Sequence, residues 1–177
     1  ALSGSSDQTV LLWDLETGRE IRRFEGHDGW VRTVAFSPDG QTAVSGGFVG
    51  DSVPDVANPG ELILWDLETG QEIRRFGDES SGHPSGVVAA AFTSDGRTIL
   101  ASSGFFANVA NEYNLMLWDV ESGEKIRDFE ITGQTDNYSL AINPGGQTAL
   151  TGNSSNEVLL WDLETGKQLA SLGGHTG

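Results

Sequence analysis

The stretch Trp13-Asp14-Leu15-Glu16-Thr17-Gly18 returns three more times along this chain, once with conservative changes. The Trp-Asp pair recurs at 65–66, 118–119 and 161–162, with successive spacings of 52, 53 and 43 residues. Each pair leads into a turn that ends in glycine, which adopts positive φ without steric cost. Self-similarity at a period of about 40 to 50 residues indicates a protein built from repeated structural units.

Short apolar runs and a second type of turn fill each repeat. The second turns, at 37–40, 93–96 and 143–146, carry the Pro, Asp, Asn and Gly residues of tight hairpins. The apolar runs that end at each tryptophan are only four residues long, which favours strands over helices. Because these runs are continuous, we expect sheets that are covered on both faces. The second repeat predicts strands at 31–36, 42–46, 62–65 and 72–76, and we find no helix.

Gly-His pairs at 26–27, 82–83 and 174–175 open repeats that Trp-Asp closes. Four-stranded antiparallel units with these two signatures resemble the WD-repeat (WD-40) β-propeller family over essentially the whole chain. The resemblance implies an all-β fold of about four blades, each a four-stranded antiparallel sheet. The predicted divisions are a partial blade at 1–25, complete blades at 26–81, 82–131 and 132–173, and the start of another repeat at 174–177.

About four blades are fewer than the seven or eight with which a ring of this repeat length usually closes. Residues 1–177 therefore resemble an arc. Either the arc is a segment of a longer ring, which we favour, or copies associate to complete one. The chain begins with alanine, and residues 1–12 lack the features of a signal peptide. We expect an incomplete amino terminus and a cytoplasmic location.

The resemblance also implies a buried structural hydrogen-bond network in each blade. Its members are the Gly-His histidine, a Ser or Thr on the second strand, an Asp in the next turn and the third-strand Trp. The matching positions are Ser3, Asp7 and Trp13; His27, Ser45 and Trp65; His83, Ser102, Glu112 and Trp118; and Thr151 and Trp161. An insertion displaces the turn Asp of the second repeat, and no complete repeat carries all four residues of the pattern, so we expect weakened networks in the last three blades.

Composition excludes several classes of function. Ten Lys and Arg against 26 Asp and Glu give a net charge of −16, which disfavours nucleic-acid and anionic membrane partners. The chain has no cysteine, which excludes disulfides and thiol chemistry. The three histidines share one repeat position, and Asp51 and Asp55 match no calcium-loop spacing. We predict no cofactor, no metal site and no enzymatic activity; the alternative is an enzyme with its site in the central channel.

The repeats differ mainly by insertions on one face. Long connections at 48–60 and 105–114 link second to third strands, and the connection at 77–86 joins two blades. These loops are acidic and hold aromatic residues of the kind that anchor interfaces. Eight of the ten basic residues instead lie on or just before the outermost strands, where we expect edge protection. The resemblance places Trp30 and Arg32 beside the central channel, a frequent contact position.

The predicted partner-binding residues are Trp30, Arg32, Phe48, Asp51, Asp55, Phe105, Phe106, Tyr113 and Tyr138. The sequence thus predicts a non-enzymatic scaffold that docks a protein or peptide, one presenting Lys or Arg, by charge complementarity. In an alternative interpretation, the carboxylates keep this face solvated and the aromatics pack the loops together. A third hypothesis is a self-association module in which arcs assemble into a propeller as a homo-oligomer.

Overall fold

The computed structural model describes residues 1–49, 60–77, 86–104, 115–129, 131 and 137–176. These residues form fifteen strands and no helix, so the all-β prediction is confirmed. The first sheet holds β1 (Leu2–Gly4), β2 (Thr9–Trp13) and β3 (Glu20–Glu25); the second holds β4 (Val31–Phe36), β5 (Thr42–Phe48), β6 (Gly60–Asp66) and β7 (Glu72–Arg75). The third holds β8 (Val87–Phe92), β9 (Thr98–Ser103), β10 (Leu115–Asp119) and β11 (Lys125–Phe129); the fourth holds β12 (Asn137–Ile142), β13 (Thr148–Asn153), β14 (Glu157–Asp162) and β15 (Gln168–Gly173).

Each sheet is an antiparallel meander whose strands pair in chain order. The first strands of the three complete sheets are neighbours, with β4 against β8 and β8 against β12. The last strand of each sheet therefore lies at the opposite, outer edge. This arrangement is that of consecutive propeller blades, with inner strands gathered toward one axis.

The core consists of three apolar seams, each between two successive sheets. Trp65, Phe24 and Val31 belong to the seam between the first and second sheets. Trp118 lies in the second seam and Trp161 in the third, at the same position in their sheets. All three of these indoles are at most 1% exposed. The second and third sheets have a neighbouring sheet on each face, which explains the continuous apolar runs of their strands, whereas the first and fourth sheets have one neighbour each among the described residues.

The Trp-Asp signature also builds the turn that follows it. Asp66 Oδ1 accepts hydrogen bonds from the Thr69 amide (2.6 Å) and from the Thr69 hydroxyl (2.9 Å). Asp119 and Asp162 make the same pair of contacts in their own turns. The Thr69 amide and then its hydroxyl lower the pKa of Asp66, so the carboxylate stays ionised in its role as acceptor.

The second and third strands of the second sheet are longer than the sequence predicts. β5 continues past Gly46 to Phe48, and β6 begins at Gly60 rather than at residue 62. The added pairs, Phe48 with Gly60 and Gly47 with Glu61, extend the ladder into what the sequence presents as an insertion. The insertion therefore starts farther from the blade core, and Glu61 becomes part of a strand.

Three arginines of the outer strands, Arg22, Arg74 and Arg127, make contacts that the prediction of edge protection did not include. Each extends across to the next sheet and donates to backbone carbonyls in the turn after its Trp-Asp pair. Other cations on these strands pair along their own strand, as Arg23 does with Glu20 (3.0 Å) and Lys125 with Asp128 (3.0 Å). The basic residues of the outer strands thus divide into two groups, of which one joins the blades.

Candidate functional site

A buried polar chain connects β5 and β6 of the second sheet to the segment before β4. Ser45 Oγ on β5 lies 2.6 Å from His27 Nε2 and 2.6 Å from Trp65 Nε1. The indole N–H can only donate, so Ser45 accepts that bond. Ser45 is fully buried and His27 is 4% exposed, so these bonds form in a region of low dielectric constant. The contacts tie the segment before β4 to the second and third strands.

Glu61 supplies the acidic member that the sequence analysis found displaced. Its Oε2 atom lies 3.0 Å from His27 Nδ1 and accepts the Asp28 amide at 3.0 Å, while Oε1 lies 2.6 Å from Arg75 Nη1. Burial acts to raise the pKa of Glu61, but the bond and charge of His27, the Asp28 amide and the Arg75 guanidinium outweigh it and lower the pKa. The expectation of a second repeat without this acid is wrong, because the acid is Glu61 on strand β6 and not a residue of the preceding turn.

The other repeats carry parts of the same arrangement. Trp13 Nε1 donates to Ser3 Oγ (2.8 Å) in the first sheet, and Trp161 Nε1 donates to Thr151 Oγ1 (2.9 Å) in the fourth. Asp7 accepts the amide and hydroxyl of Thr9 within its own turn. Ser102 and Trp118 are buried in the third sheet. His83 and Glu112 lie outside the described residues.

A cluster of two aromatic rings and one guanidinium lies at the loop edge of the inner strand. The Trp30 and Phe48 ring centroids are 5.6 Å apart, and Arg32 Cζ lies 5.2 Å from the Trp30 centroid and 5.6 Å from that of Phe48. Phe48 is 2% exposed, Trp30 is half-buried and Arg32 is exposed. Of the predicted binding residues, Phe48 is therefore the buried member of the cluster, while Trp30 and Arg32 form its solvent-accessible surface.

Local backbone geometry explains why this cluster forms. A Cβ on Gly47 would lie 2.1 Å from the Trp30 carbonyl oxygen, so only glycine lets the two backbones approach. The pairing of β4 with β5 shifts register between Val31 and Thr33, which makes Arg32 the bulged residue. β-Bulges redirect side chains and occur near functional sites.

The same register shift recurs on the inner strands of the third and fourth sheets. It falls between Val87 and Ala89 in β8 and between Asn137 and Ser139 in β12. The backbone of Tyr138 thus takes the position that Arg32 has in the second sheet, while its side chain lies outside the description. Arg32 and Tyr138, two of the predicted binding residues, therefore occupy equivalent positions on the inner strands of the second and fourth sheets.

Some of the carboxylates that the sequence places on this face are buried or half-buried rather than exposed. Asp7, Glu25 and Asp28 are exposed along the described loop edge. Glu61 is buried and paired, and Glu157 is half-buried and accepts from Ser171 Oγ at 2.8 Å. The remaining predicted binding residues, Asp51, Asp55, Phe105, Phe106 and Tyr113, lie outside the described residues. Within the described ranges, no group of three or more His, Asp or Glu side chains could hold a metal ion.

A family model described as "WD domain, G-beta repeat" matches residues 18–52 and 71–119. The chain belongs to the WD-repeat family. The described part of this WD-repeat chain contains no helix long and apolar enough to cross a membrane. WD-repeat proteins are typically protein-interaction scaffolds.

Curated relatives match nearly the whole chain. A guanine nucleotide-binding protein subunit beta of Arabidopsis thaliana is 29% identical over 90% of this chain and 39% of its own length. The small ribosomal subunit protein RACK1y of Oryza sativa subsp. japonica is 30% identical over 92% of this chain and 43% of its own length. Protein FIZZY-RELATED 1 of Arabidopsis thaliana is 25% identical over 98% of this chain and 33% of its own length. This WD-repeat chain thus spans less than half the length of each of these three.

Proposed function

We propose that this WD-repeat chain is a non-enzymatic scaffold that docks a protein or peptide on the face where second-to-third-strand loops and blade connections emerge. The observation that carries the proposal is the half-buried Trp30 ring with the exposed Arg32 guanidinium stacked on it, 5.2 Å from the ring centroid. An aromatic ring held in place by a buried neighbour loses little conformational entropy on binding, and Trp and Arg are the residues most enriched at binding hot spots.

Charge supports a partner that presents lysine or arginine. The chain carries a net charge of −16, and Asp7, Glu25 and Asp28 are exposed on the described part of this edge. A basic partner would be attracted over a Debye length of about 10 Å at 0.1 M salt, which raises its association rate. Two of the relatives bear names of components of larger assemblies, a subunit beta and a ribosomal subunit protein, which is consistent with a scaffold.

A displayed library of random peptides provides a probe that presumes no particular partner. We expect the natural chain to enrich peptides that contain lysine or arginine, and we expect Trp30→Ala to weaken binding of the enriched peptides by about tenfold or more, the loss typical of one hot-spot residue. The matched control is Phe36→Ala, which removes a 43% exposed aromatic ring from the far end of β4, the strand that begins directly after Trp30.

Three outcomes would contradict the proposal: no enrichment above a scrambled display, enrichment of acidic peptides, or equal losses with Trp30→Ala and Phe36→Ala. Replacing residues 50–59 by a two-residue turn tests the contribution of the inserted loop separately. The cytoplasmic location and the absence of nucleic-acid and membrane partners stay predictions from the sequence.

A further inference from the structure

Every junction between two sheets is joined by an arginine that reaches into the turn of the next sheet. Arg74 Nη1 and Nη2 donate to the Ser122 and Glu121 carbonyls at 2.7 and 2.8 Å. The equivalent bonds run from Arg22 to the Thr69 carbonyl at 3.0 Å and from Arg127 to the Thr165 carbonyl at 3.1 Å. The same outer-strand position thus makes the same contact three times.

A phenylalanine two residues after each of these arginines completes the junction. Its ring packs on the Trp-Asp tryptophan of the next sheet, with centroid distances of 5.7, 6.0 and 5.9 Å for Phe24–Trp65, Phe76–Trp118 and Phe129–Trp161. Arginine and phenylalanine therefore act together as the joining element of an outer strand. The receiving element is a tryptophan followed by its glycine-ended turn.

The glycine of the receiving turn leaves room for the arginine side chain. A Cβ built on Gly70, Gly123 or Gly166 would lie 2.5 to 2.7 Å from the Cδ atom of the incoming arginine. Each of these glycines also has a positive φ, between 73° and 81°. The Thr-Gly or Ser-Gly end of the repeat is thus part of an arginine-binding site as well as a turn.

The first sheet has the receiving element without an occupant among the described residues. Its turn, residues 14–18, has the same sequence as the turn at 66–70 and also ends in a positive-φ glycine, Gly18, yet no described atom lies within 4 Å of the Cβ position there. Trp13 is half-buried where its three counterparts are at most 1% exposed, and Leu15 is 79% exposed. The outward face of this sheet therefore shares its tryptophan, its glycine-ended turn and the positive φ of that glycine with the three occupied sites, although the first sheet has three described strands where the other sheets have four.

The fourth sheet lacks the joining element. Ala170 pairs with Leu160 as Arg22 pairs with Leu12, and Leu172 pairs with Val158 as Phe24 pairs with Val10. Alanine and leucine thus stand where the other outer strands have arginine and phenylalanine. A second copy of this chain could not offer its fourth sheet to Trp13 with the contacts that hold the internal junctions, which weighs against self-assembly of identical arcs.

We propose that the outward face of the first sheet, formed by Trp13, Leu15 and the turn at 14–18, is a docking site for a WD blade outside residues 1–177 whose outer strand carries Arg-x-Phe. The arginine side chain passes over Gly18 and donates to backbone carbonyls of the turn at 14–18, and the phenylalanine packs on the Trp13 indole. Arginine fits this site better than lysine, because its planar fork carries several donors, and in the junction of Arg74 two of them bond the Ser122 and Glu121 carbonyls.

The proposal can be tested by giving the fourth sheet the missing element. The double variant Ala170→Arg/Leu172→Phe makes one copy a donor for the first sheet of another. Light scattering during size exclusion over a hundredfold concentration range measures self-association, and circular dichroism checks that each variant is folded. We expect the double variant to self-associate at least tenfold more tightly than the natural chain. Adding Gly18→Ala, which fills the arginine path, should return the affinity to the natural value.

Gly40→Ala is the matched control for backbone strain, since Gly40 also has a positive φ (70°) and no described atom near its Cβ position, but lies in a different turn. In the double variant this change should leave the tighter association intact. The proposal is overturned if the double variant associates within threefold of the natural chain, or if its tighter association persists with Gly18→Ala.

Discussion

Ser45 carries more of the local structure than its size suggests, because one buried oxygen serves both an imidazole and an indole. Its Oγ atom lies 2.6 Å from His27 Nε2 and from Trp65 Nε1, and all three side chains are almost completely buried. Buried polar atoms that lose their partner are costly because water cannot replace the bond. Removing the Ser45 hydroxyl would therefore cost more stability than the loss of either hydrogen bond alone.

Ser45→Ala should destabilise the fold by about 2 to 4 kcal/mol, because it leaves the Trp65 N–H and one His27 nitrogen unsatisfied in the core. Ser3→Ala removes the equivalent acceptor from Trp13, where the bond is exposed and water can substitute, so we expect a loss below about 1 kcal/mol. Urea unfolding followed by circular dichroism measures both free energies. Equal losses at the two positions would show that burial does not set the strength of this network.

Glu61 gives the network a defined pH dependence. Because the pKa of Glu61 is lowered in the folded chain, its contribution to stability is present above the ordinary carboxyl pKa and is lost as the pH falls through the folded value. Glu61→Gln should cost about 1 to 3 kcal/mol at pH 7, since His27 and Arg75 lose a charged acceptor. Urea titrations between pH 7 and pH 3.5 should show this deficit shrinking as the pH falls.

The control for this titration is Glu68→Gln, which removes the same charge from an exposed turn position and should change stability by less than about 0.5 kcal/mol at any pH. A Glu61→Gln deficit that stays constant from pH 7 to pH 3.5 would mean that the carboxylate charge is not what stabilises the folded chain.

At the scale of the strand, periodic features were predictable and exceptions to them were not. Four Trp-Asp turns and continuous apolar runs sufficed to predict the sheets, because both arise from contacts within one repeat. Glu61 was missed because the ladder between β5 and β6 continues into the insertion, although a glutamate four residues before Trp65, repeated as Glu157 before Trp161, was a visible signal. The role of Arg74 could not be inferred, because it depends on the distance between two sheets.

The junction arginines should contribute measurably to stability. Arg74→Ala should cost about 1 to 3 kcal/mol, because the Glu121 and Ser122 carbonyls lose donors from a charged, half-buried group. Arg74→Lys should recover less than half of that loss, since one ammonium cannot reproduce the planar fork. Arg19→Ala, an exposed cation just before β3, should change stability by less than about 0.5 kcal/mol. Equal losses of unfolding free energy with Arg74→Ala and Arg19→Ala in chemical denaturation would show that the junction contact stabilises the fold no more than an exposed surface charge does.

At the scale of the whole molecule, stability comes from seams between neighbours, while charge acts on all four sheets at once. Each apolar cluster joins only two successive sheets, so the structure resembles a one-dimensional array of coupled units. Electrostatic repulsion is not confined to neighbours in this way. With a net charge of −16 on 177 residues, it opposes the compact state throughout the molecule.

Salt should therefore stabilise this chain at neutral pH. Raising sodium chloride from about 0.01 to 0.5 M shortens the Debye length from about 30 Å to well under 10 Å, which screens repulsion between distant carboxylates more than it weakens close pairs such as Glu61 with Arg75. We expect the thermal midpoint to rise by several degrees at pH 7 and to change little near pH 4.3, the isoelectric point, where the net charge vanishes. Differential scanning calorimetry at both pH values measures this directly. A midpoint that falls with salt at pH 7 would show that ion pairs and arginine junctions, rather than net repulsion, dominate the electrostatic free energy of the folded chain.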